Sequence, residues 1–378
     1  MSGRPDGTAE SRIQRAAANL GLAVASSLLF LALLEGGLRL YDWLRAGTPV
    51  APPDPLDVLY APHPYLPIAL KPSSDYRDND TAGHINSLGL RGPERSASKP
   101  PGVFRVICVG GSTTFGAGII GDEKTYPARL EAHLSALCPG RRFEVWNAGV
   151  PGYTTAENVI YLSLRLVDFQ PDLVVLYEGY NDFKPNRTPG FRSDYSHWRD
   201  RAAPPPRPST LERLRIHQKL RSFADRHFGS RAAEVRDPRT GERMKRYDSV
   251  GEDGLAAFRR NLRTMISVAR SAGARTALAT SAHPCTEENL GAHPELFTYL
   301  PGFLPNLTFA GTRDAFDRYN EAIRSVAREE GALLADAARE IPPGPELFVD
   351  HVHFNPRGAD LFARVVADAI LAALPGPG

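Results

Sequence analysis

"VFRVICVGGSTTFGAG", residues 103–118, decides the fold. Its first half is a short apolar run, as a strand buried on both faces should be. Its second half turns at Gly110 and Gly111 and sets Ser112 at the start of a helix. The same alternation recurs along the chain. "FEVWNAG" (143–149), "DLVVLYEG" (172–179), "RTALATSA" (275–282) and "ALLADAA" (332–338) read as four further strands. "YPARLEAHLSAL" (126–137), "TTAENVIYLSLRLVDF" (154–169), "GLAAFRRNLRTMISVARSAG" (254–273), "RDAFDRYNEAIRSVAREEG" (313–331) and "NPRGADLFARVVADAILAAL" (355–374) carry helical spacing. Thr154 and Glu157 stand at capping-box spacing. Strands alternating with helices predict βαβ units, a mostly parallel five-stranded sheet and helices on both of its faces. In such sheets the site forms at the carboxyl ends of the strands. The residues just past each strand are therefore the candidates.

The rest of the chain frames that domain. A composition of 42% hydrophobic and 23% charged residues is that of a globular protein. A net charge of +2 argues against nucleic acid as a partner, since that needs a clustered basic face. "AAANLGLAVASSLLFLALL" (16–34) has no charge, and Glu35 ends it. About 20 helical residues cross the hydrocarbon core of a bilayer, so this run reads as a membrane anchor. Arg12 and Arg15 before it suit a cytoplasmic N-terminus. The alternatives are a cleaved signal peptide, with "AVA" at 23–25 as its cue, and a buried helix; the run is long for a signal sequence. The expected layout is a cytoplasmic tail and transmembrane anchor over 1–45, a Pro-rich linker and lead-in over 46–102, and a domain over 103–376 that is extracytoplasmic (periplasmic or cell-surface). Residues 184–250 interrupt that domain with a charged, Pro-containing insertion, in which Ser209 and Glu212 fit a capping box. A lid, a substrate platform, a partner surface and a solvated excursion are all open for it.

Four segments carry candidate chemistry. "GGSTTFGAG" (110–118) fails the GxSxG elbow because residue 114 is Thr, and it lacks the GxxxxGK[ST] phosphate loop. Ser112 at a helix start can still present its hydroxyl, with its own N–H toward a developing oxyanion. "NAGVPGYTT" (147–155) offers the Gly149 N–H, and "EGYNDF" (178–183) the Asn181 amide. Singly, these are ordinary turn residues. "VDHVHFNPRG" (349–358) has two readings. His351 and His353, two apart, can hold a metal from a strand. Asp350 and His353, three apart, can converge on a turn; the carboxylate then fixes the imidazole tautomer while its other nitrogen takes a proton from a serine. Cys108 reads as a small buried residue. Cys138 and Cys285 can pair in an oxidising compartment, and no CxxC occurs. His283 and Cys285 follow a predicted strand. Phe183, Phe191, Tyr195 and Trp198 can line a pocket or pack against the domain.

Serine, glycine, asparagine and Asp-x-x-His occur in order, each after a different predicted strand. In this the chain resembles the SGNH/GDSL hydrolase family, through "GGST" (110–113), "NAG" (147–149), "GYND" (179–182) and "DHVH" (350–353). The resemblance covers residues 103–374 outside the insertion. It implies a flavodoxin-like three-layer α/β/α sandwich. It also implies Ser112 as nucleophile, His353 as base and Asp350 as its orienter, with the Ser112 and Gly149 amides and Asn181 as the oxyanion hole, and neither metal nor cofactor. Gly111 departs from the family's name-motif, which has Asp there; no catalytic role rests on it. "INSLGLRGPE" (85–94) and the apolar helix resemble those of exported, membrane-anchored bacterial members. The expected activity is a serine esterase or acyl hydrolase acting on an ester such as an O-acyl group of a carbohydrate or lipid. Three rivals are an O-acetyltransferase acting on a cell-surface polysaccharide, a metal-dependent phosphoesterase that would leave Ser112 unused, and a non-enzymatic envelope-binding protein. His351 is expected to be a structural or rim residue.

Overall fold

The structure, a computed structural model, describes residues 7–46, 59–78, 80–199, 214–217, 219–220 and 245–374. Five strands form the central sheet: β1 (Val103–Gly110), β2 (Arg142–Gly149), β3 (Leu173–Tyr177), β4 (Arg275–Ala279) and β5 (Leu333–Ala335). Their order is β2-β1-β3-β4-β5, and every neighbouring pair is parallel. This is the flavodoxin-like order that the family resemblance implies.

Side chains alternate across β1 and β3, as period-two backbone requires. Val106, Cys108, Leu173 and Val175 face one layer, made by α3 (Tyr126–Leu137) and α7 (Pro356–Leu371), with Leu130, Leu134, Phe362 and Val366 packed on them. Ile107, Val109, Val174 and Leu176 face the other layer. That layer is α4 (Thr155–Leu164), α5 (Glu252–Ser271) and α6 (Phe309–Glu330), through Leu162, Phe258, Leu262, Phe316 and Ile323. Burying each such side chain contributes about 1.5–3 kcal/mol, so the apolar helix faces hold the three layers together. Thr154 and Glu157 form the expected capping box at the start of α4.

Register places the site. Gly110, the last residue of β1, pairs with Gly149 on one side and Tyr177 on the other. The chain therefore leaves three adjacent strands at one level. Ser112, the 150–154 turn and Asn181 emerge side by side at the carboxyl edge.

The final motif is reached differently from the sequence reading, which set it directly after the last strand. That strand ends at Ala335, and a helical turn at Ala337–Glu340 and a 3-10 turn at Pro345–Leu347 intervene. Residues 349–353 then form a tight loop closed by a bridge between Phe348 and Phe354.

Residues 59–102 do more than connect. Two small hairpins, Tyr60–Ala61 with Ala69–Leu70 and Ser74–Arg77 with Ala82–Ile85, carry Leu70, Tyr76 and Ile85 into the core. Arg91 has a fully buried side chain. It pairs with Asp122 at 2.8 Å and donates to the carbonyls of Phe115 and Gly116, both at 2.9 Å. These carbonyls belong to the end of α2 (Ser112–Phe115), the turn that carries Ser112.

Separately, α1 (Gly7–Ala46) contains a 25-residue span, Ala17–Tyr41, whose most apolar 18-residue window has a mean hydropathy of 2.1. It is long and apolar enough to cross a membrane or to act as a signal sequence. Leu20, Leu22, Leu28, Leu29 and Phe30 are exposed along it. Past the apolar run, Glu35 pairs with Arg39 and accepts from the backbone N–H of Arg215 and Ile216. The capping box expected at Ser209 and Glu212 lies outside the described residues.

Candidate active site

The loop after Phe348 is built around Asp350. One carboxylate oxygen, Oδ1, accepts from the backbone N–H of both Val352 and His353 at 2.8 Å, which makes the turn. The other, Oδ2, lies 2.7 Å from His353 Nδ1. His353 Nε2 in turn lies 2.7 Å from Ser112 Oγ. With Nδ1–H donating to Asp350, Nε2 is free to accept from the serine hydroxyl. Burial alone would raise the Asp350 pKa, but the His353 charge and hydrogen bonds outweigh it and hold the carboxyl well below the usual carboxylate range.

His351 does not join this pair. It is buried, and the Tyr180 hydroxyl bonds its Nε2. Burial drives its pKa down to about 4, so it is a neutral core ring. Among the described residues, no group of three or more His, Cys, Asp and Glu is placed to hold a metal.

Asn181 stands over the serine turn. A Cβ built on Gly111 would lie 2.6 Å from Asn181 Nδ2, so glycine at 111 makes room for that amide. One Nδ2 hydrogen goes to the Tyr153 carbonyl at 2.8 Å. The second remains available, since an amide carries two. Ser112, Thr113, Glu178, Tyr180, Asn181 and Ser281 are among the residues lining a small cavity here.

Gly149 departs from expectation. Its N–H donates to Asn147 Oδ1 at 3.1 Å, so it is already spent. A Cβ on it would lie 2.2 Å from the Phe115 N. Gly149 therefore packs against the back of α2 and is not positioned as an oxyanion donor. The unspent donor is three residues on. Val150-Pro151-Gly152-Tyr153 is a turn closed by Tyr153 N–H donating to the Val150 carbonyl at 3.1 Å. Gly152, with φ +86, occupies the third position that a type II turn reserves for glycine. Its N–H has no hydrogen-bond partner among the described residues. The Pro-Gly pair is the sequence signal for this turn, and it lies in the same quoted segment as Gly149.

Other candidates resolve into packing. Phe183 is buried between Phe316 and Tyr319, and Tyr195 is buried with its hydroxyl donating to Asp182. Phe191 and Trp198 are half-buried. His283 stacks on Phe316 at 4.0 Å, and burial lowers its pKa to about 4. Cys108, Cys138 and Cys285 are all free thiols.

A buried acidic network underlies the Asn181 turn. Asp182 accepts from the Thr155 N–H and hydroxyl as well as from Tyr195. Burial nevertheless pushes its pKa up to about 7. Beside it, burial raises Glu178 well above the carboxylate range, and Asn158 donates to it at 2.7 Å. The folded chain therefore keeps the Asp182 proton that the unfolded chain loses near pH 4. Between about pH 4 and 7 the native state binds more protons, so this group subtracts stability as pH rises through that window. Asp182→Asn removes the titration. Relative to wild type, the variant is expected to gain up to about 1.4 kcal/mol per pH unit across the window. Thermal melts of both proteins from pH 4 to 8 test this; a stability difference that stays constant with pH would overturn it.

The chain is similar to known proteins in sequence family and in structure. A model of the GDSL-like lipase/acylhydrolase family matches residues 108–361. A catalytic mutant of an acetylxylan esterase from Geobacillus stearothermophilus is 17% identical, covering 70% of this chain and 93% of that one, with a TM-score of 0.40. The structure of TesA is 16% identical over 71% of this chain and 99% of that one, with a TM-score of 0.42. A GDSL-like lipase from Bacteroides thetaiotaomicron is 14% identical over 72% and 89%, with a TM-score of 0.40. A search of curated proteins finds no match. The family match runs from the end of β1 into α7, over β2 to β5, and the chain belongs to the GDSL-like lipase/acylhydrolase family of serine ester hydrolases.

Proposed function

We propose that Ser112, His353 and Asp350 act as the catalytic triad of an esterase. The observation that supports this most is the continuous relay from Asp350 through His353 to Ser112, with both links at 2.7 Å. Ser112 Oγ attacks the ester carbonyl as His353 Nε2 takes its proton. The oxyanion is received by the Ser112 N–H, the second Asn181 Nδ2 hydrogen and the Gly152 N–H. Each such donor contributes on the order of 10²-fold in rate. His353 then protonates the departing alcohol, and water repeats the cycle on the acyl-enzyme. Asp350 stays ionised throughout and keeps the imidazole in the tautomer that can accept.

The substrate in this reading is an O-acyl group on a carbohydrate or lipid. The apolar Ala17–Tyr41 span anchors the chain, residues 46–102 lead in, and residues 103–376 form the hydrolase domain outside the cytoplasm, with the insertion at 184–250. A fluorophosphonate probe tests the nucleophile without knowledge of the substrate. It should label the pure protein once, at Ser112, by peptide mass mapping. Absence of labelling, or labelling elsewhere, would refute the assignment.

A further inference from the structure

The segment that carries Asn181 runs on into Lys184. The Lys184 ammonium lies 5.0 Å from the centroid of the Phe303 ring. That ring stands 5.9 Å from the His351 ring, in the same loop as His353. Lys184 is half-buried, and burial alone moves its pKa, down to about 8. No carboxylate pairs with it among the described residues. The charges nearby do not serve it. Asp350 is committed to His353, and His351 is neutral. A cation drawn out of water ordinarily has a counter-charge, because desolvation of a lone ammonium is costly. Here no carboxylate of the described residues supplies one, so the ammonium is left to meet an incoming anion.

We propose that Lys184 and Phe303 form a subsite that receives an anionic group, a carboxylate or a phosphate, on the alcohol portion of the ester. This rests on the esterase reading. The alcohol side follows from the chemistry: the leaving oxygen takes its proton from His353, so the alcohol departs toward that imidazole. Lys184 packs on Phe303, and Phe303 packs in turn on His351 of the 349–354 loop that carries His353. Phe303 is 44% exposed and offers an apolar face to the carbon frame of the alcohol. Lys184 supplies the charge at its end.

The test uses three acetyl esters with one frame: methyl 4-acetoxybenzoate, which is neutral, 4-acetoxybenzoate, and 4-acetoxyphenyl phosphate. Wild type should show a KM about tenfold lower for at least one anion than for the methyl ester, and the two anions distinguish carboxylate from phosphate. Lys184→Gln should abolish that ratio, and Lys184→Arg should keep most of it. Protection of Ser112 from fluorophosphonate by the corresponding phenols reads the same preference without turnover. A wild-type protein that binds the neutral and anionic compounds alike overturns the subsite, whatever the variants do. So does a Lys184→Gln protein with an unchanged ratio, or with equal losses on all three esters. Failure of Ser112 to label at all removes the esterase reading and the subsite with it; labelling without anion preference removes the subsite alone.

Discussion

Ser112→Ala is expected to lower kcat for a 4-nitrophenyl ester by on the order of 10⁴-fold or more, with KM nearly unchanged. The substitution deletes one oxygen. The Ser112 N–H, the Asn181 amide and the Gly152 N–H remain, so the substrate still binds and residual catalysis over water persists. His353 would keep its 2.7 Å bond to Asp350 and lose only the one to Ser112. The covalent path would be closed, however, because no second hydroxyl among the described residues stands against Nε2. His353→Ala should cost about as much, and the double variant little more, since groups that act as a unit do not add. Steady-state kinetics on the three purified variants settle the matter. A loss of less than tenfold in Ser112→Ala, or strictly multiplied losses in the double variant, would remove Ser112 from the nucleophile's role.

The large elements were legible because their signals are local. The 126–137 pattern ends where the helix ends, and the Thr154–Glu157 capping box starts α4 as spacing alone indicated. That Ser112 and Asn181 stand on neighbouring turns was legible for a related reason. Each sits on a turn whose composition marks it, and strand order brings those two turns together. What escaped depends on contacts distant in sequence. Whether a backbone N–H is free cannot be read from its own residue: Gly149 is silenced by the Asn147 side chain and Gly152 is left open. Arg91 reaches carbonyls 24 and 25 residues away, so nothing in "GLRGPE" announces a clamp on the serine turn. The route to Asp350 was also misjudged. Fifteen positions separate Ala335 from Asp350, and short polar turns there carry no period to follow.

Asp350→Asn is expected to reduce kcat on the order of 10⁴-fold while leaving the fold intact, and Asp350→Ala to lose both activity and stability. Asp350 divides its work between two oxygens. Oδ1 builds the loop by accepting from Val352 and His353, and an asparagine Oδ1 can do the same. Oδ2 accepts from His353 Nδ1, and there asparagine presents an N–H₂ that can only donate. The imidazole would then turn its unprotonated nitrogen to residue 350 and its proton to Ser112, where it can no longer accept. Alanine loses the turn as well, leaving two backbone N–H groups without their acceptor at about 1–3 kcal/mol if they stay buried. Melting curves and kinetics on both variants separate the two functions. Asn should melt near wild type and Ala several degrees lower, with both nearly inactive. If Asp350→Asn kept more than a tenth of wild-type kcat, tautomer control by Asp350 would be refuted. If it instead melted as low as Asp350→Ala, the two oxygens could not be assigned separate roles, and the loss of activity would belong to the loop.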